Sequence, residues 1–222
     1  MIPAVVIAAG LGTRLRPLTE RYAKPVLPVD GTPVIAHLLR ELAAAGARDV
    51  TVVTGYRAEQ VEQLIGDGGG FGVAVAYARQ SEPDGSAHAV VAARATAPYL
   101  VLGADLVFAP GEIGRFAAAY AGSGAAGAIA VQPRPGTVEV DDGRVGRVLG
   151  EGVLGMPLWA VGPAVSPRIE ALPGRRPFEL STAFQQAIDA GEEIAAIEVG
   201  PARGLTTPFD LIEHNFPYLR SL

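Results

Sequence analysis

The residues best suited to chemistry lie close together near the start of the chain. An apolar run, Ala4–Ala9, empties into Gly10-Leu11-Gly12-Thr13-Arg14-Leu15-Arg16-Pro17-Leu18-Thr19. Two glycines allow a tight turn whose backbone N–H groups can face a polyphosphate. Arg14 can fork two further donors onto phosphate oxygens. Lys24 follows, and it is the only lysine among 18 basic residues. Arginine and lysine exchange freely on a solvated surface, but a guanidinium does not replace a compact ammonium aimed at one phosphate oxygen. The retained lysine therefore hints at a chemical reason for its survival. The dinucleotide fingerprint fails because Leu15 stands where its third glycine belongs, and no G-x-x-x-x-G-K-[ST] string occurs.

A second group is Gln80-Ser81-Glu82-Pro83-Asp84-Gly85-Ser86-Ala87. The Gln80 amide carries both donors and an acceptor, which suits the edge of a purine or pyrimidine. Gly85 permits close approach of the backbone to such a base. Asp105 lies just past the apolar run Tyr99–Leu102, where a carboxylate either caps the next turn or holds a cation. Magnesium is commonly held by one or two carboxylates with phosphates and water, so one Asp is an adequate start. His37, His88 and His214 have no metal-binding spacing, and none is assigned a role.

The whole string A-A-G-L-G-T-R-L-R-P-L-T, continued by Lys24-Pro25-Val26-Leu27-Pro28-Val29, closely resembles the signature of the sugar-1-phosphate nucleotidyltransferases, the nucleotide-sugar pyrophosphorylases. Gln80–Ala87 resembles that family's base-binding Q-x-x-P-x-G-[TS]-A, and Leu102–Asp105 its strand ending in G-D. Glu179-Leu180-Ser181-Thr182 and Thr206-Thr207-Pro208-Phe209-Asp210-Leu211 resemble later, less specific segments.

The resemblance implies a Rossmann-like three-layer α/β/α fold with a mostly parallel central sheet and a small acceptor-side β lobe. It implies transfer of a nucleotidyl group from an NTP, dTTP or UTP by preference, to a sugar 1-phosphate with release of pyrophosphate and with Mg2+ as cofactor. Arg14 and Lys24 are the implied catalytic residues. Backbone groups of Ala8, Ala9 and Gly10 would frame the nucleoside, Gly12, Thr13, Arg14, Gln80, Gly85 and Ser86 would complete the nucleotide site, and Asp105 would hold the metal.

The match is looser on the acceptor side. Gly150-Glu151-Gly152 stands where the family reads E-K-P, and Gly155-Met156 where it reads G-[IV]-Y, which makes Glu151 and Gly155 the implied sugar-binding residues. The family's acceptor lysine is absent. Val153 falls near a position where many relatives place an Asn, and Arg147 reads as a solvated strand residue. Gly204 occupies the place of a second metal-binding Asp or Asn. Two alternatives stay open: a non-catalytic subunit that binds nucleotide sugars, and a cytidylyltransferase of an alcohol phosphate.

Elements that would hold these residues follow from the pattern. Apolar runs alternate with helical ones: strands at Ala4–Ala9, Val50–Thr54, Val73–Ala78 and Tyr99–Leu102, helices at Pro33–Ala45, Ala58–Ile65 and Ala87–Ala95. That order predicts a parallel sheet with both faces covered, its ligand beyond the carboxyl ends of the strands. Thr32-Pro33 and Thr207-Pro208 read as helix starts, and Gly46 as a helix stop. Asp141-Asp142-Gly143-Arg144, flanked by Val138–Val140 and Val145–Leu149, predicts a hairpin of the acceptor lobe. Leu180–Ala190 predicts a helix, Ile194–Val199 a strand, and Pro208 onward a final helix.

At 222 residues and 49% hydrophobic content, the expectation is a single domain over 1–222 with one sizeable core. A net charge of -5 argues against nucleic acid as a partner, and the absence of cysteine excludes disulfides and thiolate metal sites. No apolar run reaches membrane-spanning length, and the N-terminus lacks the basic segment of a secretory signal, so the expected location is cytoplasmic. A homo-oligomer stays open.

Overall fold

The computed structural model describes residues 2–172 and 174–216. Its frame is β1 (Ala4–Ala8), β4 (Asp49–Thr54), β5 (Ala74–Arg79) and β6 (Tyr99–Gly103), all parallel. Two short strands, β2 (Pro28–Val29) and β3 (Thr32–Pro33), form a separate hairpin. β7 (Leu106–Phe108) pairs with β13 (Ala202–Gly204) in another. The main sheet is completed by β8 (Gly127–Gly136), β9 (Glu139–Asp141), β10 (Arg144–Arg147), β11 (Gly152–Val161) and β12 (Ile194–Glu198). Its nine strands run in the order β5-β4-β1-β6-β11-β8-β12-β10-β9, and only β10 and β11 oppose the rest. The chain leaves β1 for β4 on one side and returns to β6 on the other. The loops after β1 and β6 therefore part, which opens a crevice at their carboxyl ends.

Both faces of β1 are covered, as its unbroken apolar run requires. Val6 packs with Leu38, Leu39 and Leu42 of α1 (Val34–Ala44) and with Ile113 and Phe116 of α4 (Glu112–Ser123). Its neighbour Val5 joins the opposite core, with Val90 of α3 (Ser86–Ala93), Ile169 of α5 (Ser166–Glu170) and Phe184 of α6 (Leu180–Asp189). α2 (Ala58–Ile65) covers the first face beside β4, and α7 (Pro208–Asn215) closes the described chain. The expected final helix beyond residue 216 lies outside the described residues.

A third core is small. Leu15, Leu27, Val29, Val34, Val107 and Leu205 pack together, with Leu211 of α7 against them. It joins the glycine turn, the β2–β3 hairpin and the β7–β13 pair. Polar ties reinforce it: Asn215 Nδ2 donates to Pro28 O at 2.8 Å, and its Oδ1 accepts from Gly31 N at 3.0 Å.

Several expectations are corrected. Thr32 belongs to β3 and Pro33 itself is the N-cap of α1, so the helix starts one residue later than the sequence suggests. β5 is the outermost strand and mostly exposed, so burial on both faces holds only for the inner strands. The Asp141–Arg144 hairpin forms, but at the far edge of the main sheet. α4, β8 and β11 have no counterpart in the sequence reading. Pro133, Pro135, Gly155 and Pro157 interrupt the two strands, and the ladder between them shifts register to accommodate those residues.

Candidate active site

A cleft of about 530 Å³ opens where β1 and β6 end. Its first wall is the glycine turn. Gly12 adopts a left-handed conformation, φ 62°, and a Cβ there would stand 2.8 Å from Thr19 Cγ2 and 3.3 Å from Lys24 Cβ. Only glycine lets the turn close this tightly on the lysine segment. Thr19 Oγ1 donates to Gly12 O at 2.9 Å and fixes the closure. The 3-10 turn Thr13–Leu15 then sends Leu15 into the small core, 1% exposed, and leaves Arg14 on the surface at the cleft. Arg14 forms no ion pair among the described residues, so its fork is free for an anion.

Lys24 opens a second 3-10 turn, Lys24–Val26, held from behind by Ala23 N donating to Gln60 Oε1 at 2.7 Å. Its ammonium meets the carboxylate of Asp105, Nζ to Oδ2 2.8 Å, across 81 residues of sequence. The lysine side chain is 16% exposed and the aspartate 39%. Asp105 is the second residue after β6. A Cβ on Gly103 would lie 2.8 Å from its Oδ1 and 3.1 Å from Pro157 Cβ, so Gly103 makes room for the carboxylate to fold back on the strand end. Leu205 N donates to Asp105 O at 3.0 Å, which seats β13 beside it. Gly204 is thereby adjacent to Asp105: a Cβ would lie 3.8 Å from its carbonyl oxygen.

Ala8, Gly10, Gly12 and Thr13 border the cleft together with Arg14, Lys24 and Asp105. Ser86 and Gly155 border it from the other side. Ala9 is buried behind the turn, where its carbonyl accepts from Tyr56 N at 3.3 Å. Gln80 is also buried, 6% exposed, and does not border the cleft: its Nε2 donates at 3.0 Å to the carbonyl oxygen of Gly85, the residue before Ser86 of the wall.

Two expectations need correction. The close approach that Gly85 permits is to the chain itself, since a Cβ would stand 2.2 Å from Phe178 O. Phe178 N donates to Asp84 O at 2.9 Å and Ala87 N to Phe178 O at 2.8 Å, so this segment is stitched on both sides of the glycine. Glu151 is exposed at the start of β11 and does not border the cleft. A carboxylate nevertheless fills the space there, because a Cβ on Gly150 would meet Glu139 Oε1 at 1.9 Å.

The structure adds residues that motif spacing did not single out. Trp159 and Leu149 give the cleft an apolar far wall, with Trp159 edge-on to Phe184 at 4.7 Å between ring centroids. Leu149 is 63% exposed. Glu179 accepts from Ser86 N at 3.2 Å and from its hydroxyl, while Ser86 Oγ accepts from Leu180 N at 2.9 Å. This exchange locks the starts of α3 and α6 together. Ser181 and Thr206, both at the cleft, sit in the two late segments quoted above, which was the available signal. Trp159, the only tryptophan, carried no motif.

Among the described residues, no group of three or more His, Asp or Glu side chains could hold a metal. Although the position beside Gly204 is taken by Leu106, whose Cδ2 would lie 2.9 Å from a Cβ there, Asp105 still fits magnesium, because its Oδ1 has no hydrogen-bond partner among the described residues. An ion there would take most of its remaining ligands from phosphate and water.

The chain's first 148 residues carry the decisive likeness to known proteins. A glucose-1-phosphate thymidylyltransferase of Streptomyces griseus is 45% identical over 91 residues, covering 41% of this chain and 26% of that protein. The CMP-5'-(3-aminopropyl)phosphonate synthase of Streptomyces rubellomurinus is 36% identical over 142 residues, 62% of this chain and 22% of that protein. The match thus spans about a quarter of the length of these curated relatives. A crystal structure of UDP-glucose pyrophosphorylase complexed with UDP-glucose superposes with a TM-score of 0.84 over 100% of both chains at 17% identity, which establishes the shared fold. The family model described as nucleotidyl transferase matches residues 3–148. With its glycine turn, lysine and aspartate gathered at one cleft, this chain belongs to the nucleotidyl transferase family.

Proposed function

We propose that the protein transfers a nucleotidyl group from an NTP, UTP or dTTP by preference, to a sugar 1-phosphate and releases pyrophosphate. The observation that carries this is the Lys24–Asp105 pair, which shares a cleft large enough for a nucleotide sugar with Arg14, a residue without an ion pair among the described residues. The N–H groups of the Gly10–Thr13 turn and the Arg14 fork would bind the triphosphate. The Lys24 ammonium is placed to take up charge as a sugar phosphate oxygen displaces pyrophosphate at the α-phosphorus. Gln80 would read the base, and the Trp159–Leu149 wall would exclude water beside the sugar. Mg2+, held at Asp105, would supply further neutralisation of phosphate charge.

The likeness to the aminopropylphosphonate synthase covers the longer stretch of this chain and favours a second reading, cytidylyl transfer to a phosphonate or phosphate. Pyrophosphate release across a panel of NTPs, with sugar 1-phosphates and alcohol phosphates as acceptors, separates the two. Turnover should appear with UTP or dTTP and a hexose 1-phosphate, and Asp105→Asn should nearly abolish it while nucleotide still binds. A protein that binds nucleotide yet releases no pyrophosphate with any acceptor is a binding subunit, and the proposal fails.

A further inference from the structure

The environment of Gln80 restricts how it can read a base. Its Nε2 lies 3.0 Å from Gly85 O and 3.2 Å from His88 Nδ1. A peptide carbonyl only accepts, so the amide face turned to Gly85 has to be the NH2. His88 Nδ1 is the acceptor for its second hydrogen, which places the imidazole hydrogen on Nε2. Both donors of Gln80 are thereby consumed inside the protein.

What remains is Oε1. It has no hydrogen-bond partner among the described residues, yet no buried side-chain nitrogen or oxygen of those residues lacks one. Oε1 is therefore open to solvent. Gly85 leads directly into Ser86, which borders the cleft. The free face of Gln80 is thus a pure acceptor, on a side chain tied to the residue that precedes the cleft wall.

We infer that His88 is a positioning residue for base selection: together with the Gly85 carbonyl it locks the Gln80 amide so that Oε1, and not the NH2, meets the base. This rests on Gln80 being the base reader, as proposed above. An outward acceptor pairs with a ring N–H, which uracil, thymine and guanine offer. Cytosine and adenine present a bare ring nitrogen there, and two acceptors repel. Specificity then comes from a group that touches no ligand.

Calorimetric affinities for UTP and CTP test this on wild type, Gln80→Ala, His88→Leu and His88→Asn, in the presence of Mg2+. Wild type should favour UTP. His88→Leu removes one of the two pins and should narrow the UTP-to-CTP ratio by roughly three- to tenfold, the worth of one lost hydrogen bond. His88→Asn, whose side-chain carbonyl can again accept from Nε2, should restore most of the ratio, which a merely structural loss would not do. An unchanged ratio in His88→Leu overturns the inference, as does a wild type that favours CTP, a result that needs no variant to fold. If Gln80→Ala leaves the ratio unchanged, the base-reading proposal itself falls.

Discussion

Lys24 is held before any substrate arrives, and its partner is the carboxylate that would hold the metal. A metal ion there would compete with the ammonium for Asp105. Removing the ammonium should have opposite effects on two measurements. Lys24→Ala should cut turnover by about two to three orders of magnitude, the scale of one preorganised charge-stabilising group. The same variant should bind Mn2+ more tightly than wild type when no nucleotide is present, since Asp105 is released. Electron paramagnetic resonance titration reads the second effect directly, and weaker Mn2+ binding by the variant would show that the pair does not govern the carboxylate. Both residues were legible in the sequence, but their contact was not. Eighty-one positions separate them, and only the parallel pairing of β1 with β6 brings the two loops together.

α7 has no fully buried residue, and a carboxylate caps its first turn. Thr207 and Asp210 form a complete capping box, with Asp210 accepting from Thr206 N at 2.8 Å and Thr207 N at 2.7 Å. Burial pushes the Asp210 carboxyl up, but those N–H donors outweigh it and hold it below its ordinary 3.8. Asp30, on the hairpin beneath, is lowered chiefly by its hydrogen bond from Arg203, against the opposing effect of burial. A lowered folded value means that each carboxylate contributes stability fully above 3.8, and loses it as pH falls through the lower folded value. Docking of α7 should thus be constant from neutral pH down to about 4 and weaken only below that. Asp210→Ala should cost about 1 kcal/mol at neutral pH, within the range for lost N-caps, and should flatten the acid limb seen by circular dichroism. A variant as stable as wild type at neutral pH would remove the cap from the account.

Across the whole molecule, local signals were read well and long-range ones were not. Alternation of apolar runs with helical patterns identified β1, β4, β5, β6 and α1 to α3 within a residue or two, because each is written in consecutive residues. β8 and β11 escaped, since prolines and glycines that normally end strands are absorbed there by shifts of register. α4 was missed although Ile113, Phe116 and Tyr120 recur at helical spacing, because glycines and alanines dilute the pattern. On the site, motif spacing pointed to the glycine turn and to Asp105, and the fold brings both to one cleft. Glu151, exposed just before β11, does not border that cleft, and the packing of Glu139 against Gly150 depends on strand pairing that no local spacing records.

The small core under the glycine turn also bears on the order in which the chain becomes functional. The Asn215–Gly31 hydrogen bond spans 184 positions and the Asn215–Pro28 bond 187. During synthesis the phosphate turn leaves the ribosome early, yet the helix that steadies its floor emerges only after the entire sheet has been made. A nascent chain can therefore hold a folded sheet before the glycine turn has its floor. Asn215→Ala should reproduce that unfinished state in the mature protein. In hydrogen exchange, the amides of Leu15 and Val29 should lose protection while those of β1 and β4 keep theirs; uniform protection across both sets would mean that the turn stands without its distant support.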